Sequence, residues 1–382
     1  MTMYLDNAAT SFPKPESVYV AVDSFLREIG GSSGRSSYGR SRMAQEKVLE
    51  TRKAIAKLFN IHNLSRIIFT INCTEALNLG LKGILKRGDH VISSSLEHNS
   101  VNRPVFKLAS KGISVTWVSC DPRYGVDLDE VSRKIKKNTR MIMLTAGSNV
   151  LGTLLSIAEV GAIARQRGTI FFVDGAQTAG SLPIDVEAMN IDLLACSGHK
   201  GLFGPQGTGF LFIREGIELE TLREGGTGSL SGSKMQPDFL PDRFESGTLN
   251  GPGIAGLGAG VEFVLQEGLE RIAQKEKALT TQLWEGLEGI GKVKLYGPEP
   301  SLLRTSVVSF NIEGLHCEDV GSILDSVFQI EVRTGLHCAP GAHELIGTFP
   351  EGTIRVSPGY FNTQEDIEAL IQAVRGIISR RY

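Results

Sequence analysis

No apolar run in this chain approaches the roughly 18 to 20 residues needed to span a bilayer, and Met1-Thr2-Met3-Tyr4-Leu5-Asp6 lacks the basic and long apolar regions of a secretory signal. Charge of either sign is not in excess: 40 Lys and Arg against 42 Asp and Glu leave a formal net charge of −2. With neither a basic stripe nor an acidic tail, neither nucleic acid nor a membrane surface is an expected partner. Cysteine is sparse, odd in number and scattered, at Cys73, Cys120, Cys196, Cys317 and Cys338. No pair stands at Cys-x-x-Cys spacing, so a disulfide framework and a zinc site are both unexpected. These absences leave a cytoplasmic enzyme as the expectation, and 382 residues are enough for a large core and two domains. Glycine, in contrast, is abundant at 44 residues, which suits many tight strand-to-helix turns.

Along the chain, Pro13 and Pro15 lead into a predicted helix whose apolar face is Val18, Val22, Phe25, Leu26 and Ile29. The polar stretch Gly30-Gly31-Ser32-Ser33-Gly34-Arg35-Ser36-Ser37 breaks structure before a second amphipathic helix carrying Val48, Ile55, Leu58 and Phe59. From Arg66 to Gly216 strands and helices alternate, which predicts parallel βαβ units. Strands are predicted at Ile67–Thr70, His90–Ser94, Ser114–Val118, Arg140–Leu144, Thr169–Val173 and Asp192–Ala195, with a hairpin-like strand at Thr208–Ile213. A second region opens at Gly251-Pro252-Gly253 with a helix. It continues through a charged helix at Leu269–Leu287, strands at Lys292–Tyr296 and Thr305–Ile312, a helix after His316, a strand near Ile330–Arg333 and a closing helix at Thr363–Ile378. This order predicts a smaller α+β unit.

Ligands of open parallel sheets gather beyond the carboxyl ends of the strands, and that is where the unusual residues fall. Asn72, Cys73 and Thr74 open a helix whose first-turn amides suit a phosphate, although an ordinary N-cap reads equally well. His98, in Glu97-His98-Asn99-Ser100, could stack on a flat cofactor or move protons near neutral pH; a plain loop histidine is the alternative. Asn149 follows the next strand and could simply form a turn, while Asp174 and Gln177 follow the one after.

The run Cys196-Ser197-Gly198-His199-Lys200 ends a strand in small and polar residues and offers one lysine, a place to hold a carbonyl cofactor through a Schiff base. Alone, Lys200 reads as a surface residue of a Gly-rich loop. Asp174 supplies the carboxylate needed to keep a pyridine nitrogen protonated, and five strand ends then contribute polar residues to one edge. In the second region Cys338 sits in a Gly/Pro loop beside His337, a setting for a reactive thiolate, whereas the thiols of the other four cysteines read as buried and structural. His337, Cys338 and His343 lack a fourth partner in register, so no metal is expected. Arg355 suits a substrate carboxylate, with a surface ion pair as the alternative.

Together these residues resemble the class V aminotransferase family of pyridoxal-phosphate enzymes, and within it the group II (SUF-like) cysteine desulfurase and selenocysteine lyase branch. The resemblance is carried by Tyr4-Leu5-Asp6-Asn7-Ala8-Ala9-Thr10, Thr74-Glu75-Ala76-Leu77-Asn78, Glu97-His98-Asn99-Ser100, Ser148-Asn149-Val150-Leu151-Gly152 and Val173-Asp174-Gly175-Ala176-Gln177. Ser197-Gly198-His199-Lys200, Arg243-Phe244-Glu245-Ser246-Gly247-Thr248 and Arg333-Thr334-Gly335-Leu336-His337-Cys338 complete it. It implies fold type I: a large α/β domain over 15–252 with a mostly parallel seven-stranded sheet, and a small α+β domain of 1–14 and 253–382 carrying the cysteine loop.

The resemblance also implies roles. Lys200 would bind pyridoxal 5′-phosphate covalently, Asp174 would pair with its ring nitrogen, Gln177 would donate to its phenolate oxygen, and His98 would stack on the ring and assist proton transfer. Cys73 would stand with Thr74 at the cofactor; Thr74, Ser197 and His199 would take the phosphate, joined by Thr248 from a second subunit of a homodimer with shared active sites. Asn149, which also lines the cofactor site, and Arg355 would hold the substrate carboxylate. Cys338, aided by His337, would take sulfur from L-cysteine as a persulfide, leaving L-alanine, for delivery to an acceptor protein. Action on L-selenocysteine, β-elimination and transamination are the alternatives. Ala146 and Ser36-Ser37-Tyr38 depart from the family pattern, where histidines are common, and put the substrate entrance in doubt.

Overall fold

A computed structural model describes residues 2–34 and 37–379. Its centre is a seven-stranded sheet of β1 (Ile67–Thr70), β2 (His90–Ser94), β3 (Ser114–Val118), β4 (Thr139–Thr145), β5 (Ile170–Asp174), β6 (Leu193–Ser197) and β7 (Gly209–Ile213). The spatial order is β1-β7-β6-β5-β4-β2-β3. All strands run parallel except β7, which is antiparallel to both β6 and β1. The predicted strands are all present, but β4, β5 and β6 run one or two residues further into polar sequence than expected. Cross-strand pairing explains this: Thr145 pairs with Asp174 and Asp174 with Ala195, so the ladder continues after the apolar pattern stops.

Helices cover both faces, which is why the strands read as continuous apolar runs rather than alternating ones. Along β5, Phe171 and Val173 enter one core with Ile142, Leu144, Leu194 and Phe210. Ile170 and Phe172 enter the opposite core with Met141, Met143, Leu193 and Leu211. Each such large side chain, fully buried, contributes about 1.5–3 kcal/mol.

The second sheet is antiparallel, formed by β8 (Val293–Tyr296), β9 (Val308–Ile312), β10 (Arg333–Gly335) and β11 (Thr353–Val356) in the order β8-β9-β11-β10. Leu279, Leu283, Phe310, Ile354 and Leu370 form its core, joined by Leu5. The amino terminus reaches it because Met3–Tyr4 pairs in parallel with Ile330–Glu331. That pairing splits the strand expected near Ile330–Arg333: its first half serves the terminus and β10 turns to β11. The expected division at 252/253 falls at the start of the helix Gly251–Glu267, whose Ile254, Leu257 and Val261 pack into the core of the large sheet.

The first helix departs from its predicted face. It ends at Ser24 and passes into one π turn, Phe25–Ile29, which turns Phe25 and Ile29 inward and leaves Leu26 61% exposed. Of the loop where the sequence departs from the family pattern, Arg35 and Ser36 lie outside the described residues. Among the described residues no helix is long and apolar enough to cross a membrane.

Candidate active site

The carboxyl ends of β1, β2, β4, β5 and β6 meet at a cavity of about 280 Å³ lined by Cys73, Thr74, His98, Asn149, Asp174, Gln177, Ser197, His199, Lys200 and Arg355, together with Arg333 and Ser100. Ten of the twelve residues singled out from sequence are thus in one place. The other two are not in the wall: Thr248 is exposed, and Cys338 is exposed on its own loop.

Local structure sets each position. The helix Cys73–Ile84 starts at the end of β1, and Asn72 caps it by accepting the Glu75 N–H at 2.9 Å. Its start lies against Gly209 of β7, where a Cβ would come within 2.7 Å of the Asn72 carbonyl carbon, so only glycine lets the turn approach this closely. The lysine loop is clamped from the amino-terminal segment. Thr10 Oγ1 and Lys14 Nζ donate to the His199 carbonyl at 3.0 and 2.9 Å, and Ser11 Oγ donates to that of Lys200 at 2.9 Å. Gln177 Nε2 donates to the Ala8 carbonyl at 3.1 Å.

Burial dominates the electrostatics. Asp174 is 4% exposed, and its Oδ1 accepts from the Ala176 amide at 2.9 Å and from Cys73 Sγ at 3.4 Å. Loss of water pushes its pKa up, against the pull of the Ala176 amide and the Lys200 charge. Lys200 is pulled down by the same loss, against the Asp174 carboxylate. Burial, followed by the charges of Lys200, Arg333, Arg355 and Arg103, lowers His98 to about 4, so its ring is neutral at pH 7. His199 falls to about 4, chiefly by burial. Ser197 Oγ and His199 Nδ1 are buried without a partner. Such groups cost about 1–3 kcal/mol each when left unsatisfied, and a bound anion would satisfy both.

Across the cavity, Cys338 sits at φ 59° after His337 at φ 48°, two non-glycine residues in the left-handed region. The loop is tied down by Asn99 N–H donating to the Cys338 carbonyl at 2.7 Å and Asn149 Nδ2 donating to the His337 carbonyl at 2.8 Å. The expected assistance from His337 is corrected here. Its ring is 2% exposed, its Nε2 lies 3.1 Å from the Thr353 carbonyl oxygen, and burial holds its pKa well below the usual range. It is therefore uncharged, and the cation beside the thiol is Arg333, with Nη2 3.7 Å from Cys338 Sγ. Arg355, 1% exposed, is no surface ion pair: it meets Asp6 and the Asn149 carbonyl and keeps Nε unpartnered.

Sequence reasoning did not single out Arg333 or Ser100, although both stood in quoted motifs; their places follow from strands far apart in the chain. Glu97 was passed over beside His98, yet it is buried with its pKa raised to about 8 by desolvation. Ala146 does not shape the entrance. It lines a separate apolar cavity with Leu155 and Ile157, so its departure from the family pattern leaves the wall described above intact. Tyr38 is exposed at the start of the helix Gly39–Phe59 and is likewise outside that wall. Among the described residues no group of three or more His, Cys, Asp or Glu is placed to hold a metal ion.

A lysine and a buried acid that meet at the carboxyl edge of a parallel sheet are the arrangement of an α/β enzyme. Residues 3–370 match the aminotransferase class-V family, and the chain belongs to that family. It is 35% identical to a probable cysteine desulfurase of Methanothermobacter thermautotrophicus, over 98% of this chain and 94% of the relative. It is 33% identical to a cysteine desulfurase of Escherichia coli (strain K12 / DH10B), over 98% and 93%. Among solved structures, the apo cysteine desulfurase of Thermococcus onnurineus NA1 is similar with a TM-score of 0.92 and 36% identity, covering 99% of this chain and 95% of that one. The cysteine desulfurase CsdA of Escherichia coli gives 0.89 and 28% over 99% and 95%.

Proposed function

We propose that this chain is a pyridoxal-phosphate-dependent cysteine desulfurase that converts L-cysteine to L-alanine and carries the sulfur as a persulfide on Cys338. The observation that carries this reading is the meeting of Lys200 and Asp174 in one cavity whose rim is tied, through Asn149, to the Cys338 loop. The donor set fits the cofactor. Ser197 Oγ, His199 Nδ1 and the helix start at Cys73 and Thr74 suit its phosphate, Asp174 suits a protonated ring nitrogen, Gln177 a phenolate oxygen and the flat face of His98 the ring.

Bound there, pyridoxal 5′-phosphate supplies an electron sink that acidifies the substrate Cα–H. Lys200, made a weaker base by burial, would offer its amine to the cofactor carbonyl and then accept a proton. His98, neutral, is placed to pass protons at the ring face. Arg355 Nε and Asn149 hold the substrate carboxylate. The Cys338 thiolate attacks the substrate sulfur: a new S–S bond forms, the Cβ–S bond breaks, and the electron pair returns to carbon, which is protonated on the way to alanine.

Thr248, exposed and outside the cavity, is assigned to the site of a second copy, which makes the enzyme a homodimer with shared sites; exposed Leu230, Met235 and Phe239 on the same irregular segment favour a covering partner. The proposed division is a cofactor domain of 15–252 and a smaller one of 1–14 and 253–382; the separate core that includes Leu5 favours the smaller unit, while the helix Gly251–Glu267 packs with the cofactor domain. A cytoplasmic location and a sulfur acceptor protein complete the reading, with L-selenocysteine as the second substrate to try.

The test is to incubate cofactor-loaded protein with L-cysteine or L-selenocysteine and measure alanine, pyruvate, sulfide, selenide and protein-bound persulfide. Alanine with persulfide in the wild type, and no persulfide in Cys338→Ala, is the expected result. Pyruvate in place of alanine would replace desulfuration by elimination. Borohydride reduction and peptide mapping should label Lys200; an unlabelled lysine removes the covalent tether and the activity built on it.

A further inference from the structure

Thr74, Ser100 and His98 form a chain of hydrogen bonds whose direction is read from one backbone donor. The Ser100 backbone N–H donates to His98 Nδ1 at 3.1 Å, so that nitrogen bears a lone pair and the ring proton sits on Nε2. Ser100 Oγ lies 2.9 Å from the same Nδ1, a contact that needs a hydrogen between the two atoms. Nδ1 has none to give, so the Ser100 hydroxyl donates. Ser100 Oγ is then the acceptor for the Thr74 hydroxyl, 2.7 Å away. The donation runs from Thr74 to Ser100 to His98.

A bound phosphate disturbs this order. Its oxygens accept hydrogen bonds, so Thr74 must turn its hydroxyl hydrogen toward the anion. Thr74 Oγ1 then accepts from Ser100, whose hydroxyl draws back from Nδ1, and His98 Nδ1 keeps the backbone amide alone. A donor bonded to the neutral form of an imidazole disfavours its protonation, so losing that donor makes the ring more basic.

We propose that Ser100 is a positioning residue that couples the phosphate subsite to His98: anion binding at Thr74 reverses the hydroxyl pair and raises the basicity of the imidazole. The inference rests on the phosphate role assigned to Thr74. Its effect is to keep His98 a poor base while the subsite is empty and a better one when it is filled. The other groups acting on His98, namely Lys200, Arg333, Arg355 and Arg103, are all cations that hold it low and are untouched by a change at Ser100.

The experiment follows His98 by nitrogen NMR in full-length, cofactor-free protein labelled at histidine, with the signal assigned through His98→Asn, and titrates pH with and without inorganic phosphate. Wild type, Ser100→Ala and Ser100→Thr are compared. Without phosphate, His98 should titrate about 0.5–1 unit higher in Ser100→Ala than in wild type. Phosphate should raise wild type and Ser100→Thr by more than it raises Ser100→Ala, leaving the three close together. Equal titration of wild type and Ser100→Ala in phosphate-free buffer overturns the relay alone. Failure of phosphate to bind any of the three overturns the phosphate role of Thr74 and the coupling with it. Retention of the wild-type response in Ser100→Thr separates the hydroxyl from a loss of folding in Ser100→Ala.

Discussion

The side-chain amide of Asn149 donates to the carbonyl of His337 at 2.8 Å, so the loop that follows β4 in the large sheet grips the backbone one residue before Cys338. The Asn149 carbonyl in turn accepts from Arg355 Nη1 at 3.1 Å. A single residue thus spaces the thiol from the cavity floor. Asn149→Ala leaves the buried His337 carbonyl without that donor, a loss of about 1–3 kcal/mol that corresponds to a roughly 5- to 150-fold fall in sulfur transfer if the loop must be held for attack. Persulfide formed in a single turnover at saturating L-cysteine, where loss of the Asn149 contact to the substrate carboxylate no longer limits binding, should slow; an unchanged rate would show that the tether does not set the reacting geometry.

Glu97 offers a stability prediction with a definite sign. Its Oε1 accepts from Ser94 Oγ at 2.6 Å and from the Thr145 N–H at 3.0 Å, bridging the ends of β2 and β4, while Oε2 has no partner. Burial raises its pKa to about 8, well above the unfolded value. Between about 4.3 and 8 the unfolded chain has released this proton and the folded chain has kept it, so stability falls as pH rises, by up to about 1.4 kcal/mol per pH unit, and levels off above that window. Glu97→Gln cannot ionise. Thermal melts from pH 5 to 8 should show the variant losing less stability than wild type as pH rises; parallel curves would contradict the assignment.

Arg52 and Glu245 form an ion pair with side chains only 9% and 5% exposed, and Glu245 also accepts the Phe69 N–H at 2.7 Å. The pair joins the helix Gly39–Phe59, β1 and the segment that leads to Thr248. Glu245→Ala strands a buried guanidinium and should cost about 3–5 kcal/mol in unfolding free energy. The double variant Arg52→Met with Glu245→Leu removes both charges and should recover much of that loss in a denaturant titration. Equal destabilisation by the single and double variants would mean that packing, not charge, is what the pair provides.

The strands, their parallel sense and most of the cavity wall were legible because the candidates of the large sheet follow apolar runs that end in polar residues, and that pattern marks the carboxyl edge of a parallel sheet. Contacts without a local signature stayed hidden. Arg355 meets Asp6, 349 positions away, so the pairing has no trace in spacing. His337 looked like an activating neighbour of Cys338, but a left-handed backbone at both residues sends its ring into the core beside Thr353. The π turn at Phe25–Ile29 and the division of the strand after Ile330 likewise depend on what each segment packs against rather than on its own periodicity.

Gly209 supports a prediction about the phosphate end of the site. Its missing side chain admits the turn at Asn72, and an added Cβ would meet the Asn72 carbonyl carbon at 2.7 Å and the Cys196 carbonyl oxygen at 2.8 Å. Both are backbone atoms that cannot rotate aside, so Gly209→Ala must push the start of the helix Cys73–Ile84 away from the strand ends, at a strain of about 1–3 kcal/mol. Thr74 and the first-turn amides move with it, whereas Asp174 stands on β5, clear of both contacts. Affinity for pyridoxal 5′-phosphate should therefore fall by roughly 5- to 150-fold, while affinity for pyridoxal, which lacks the phosphate, stays near that of the wild type. Equal losses for the two ligands, read by absorbance titration, would place the phosphate elsewhere than at this turn.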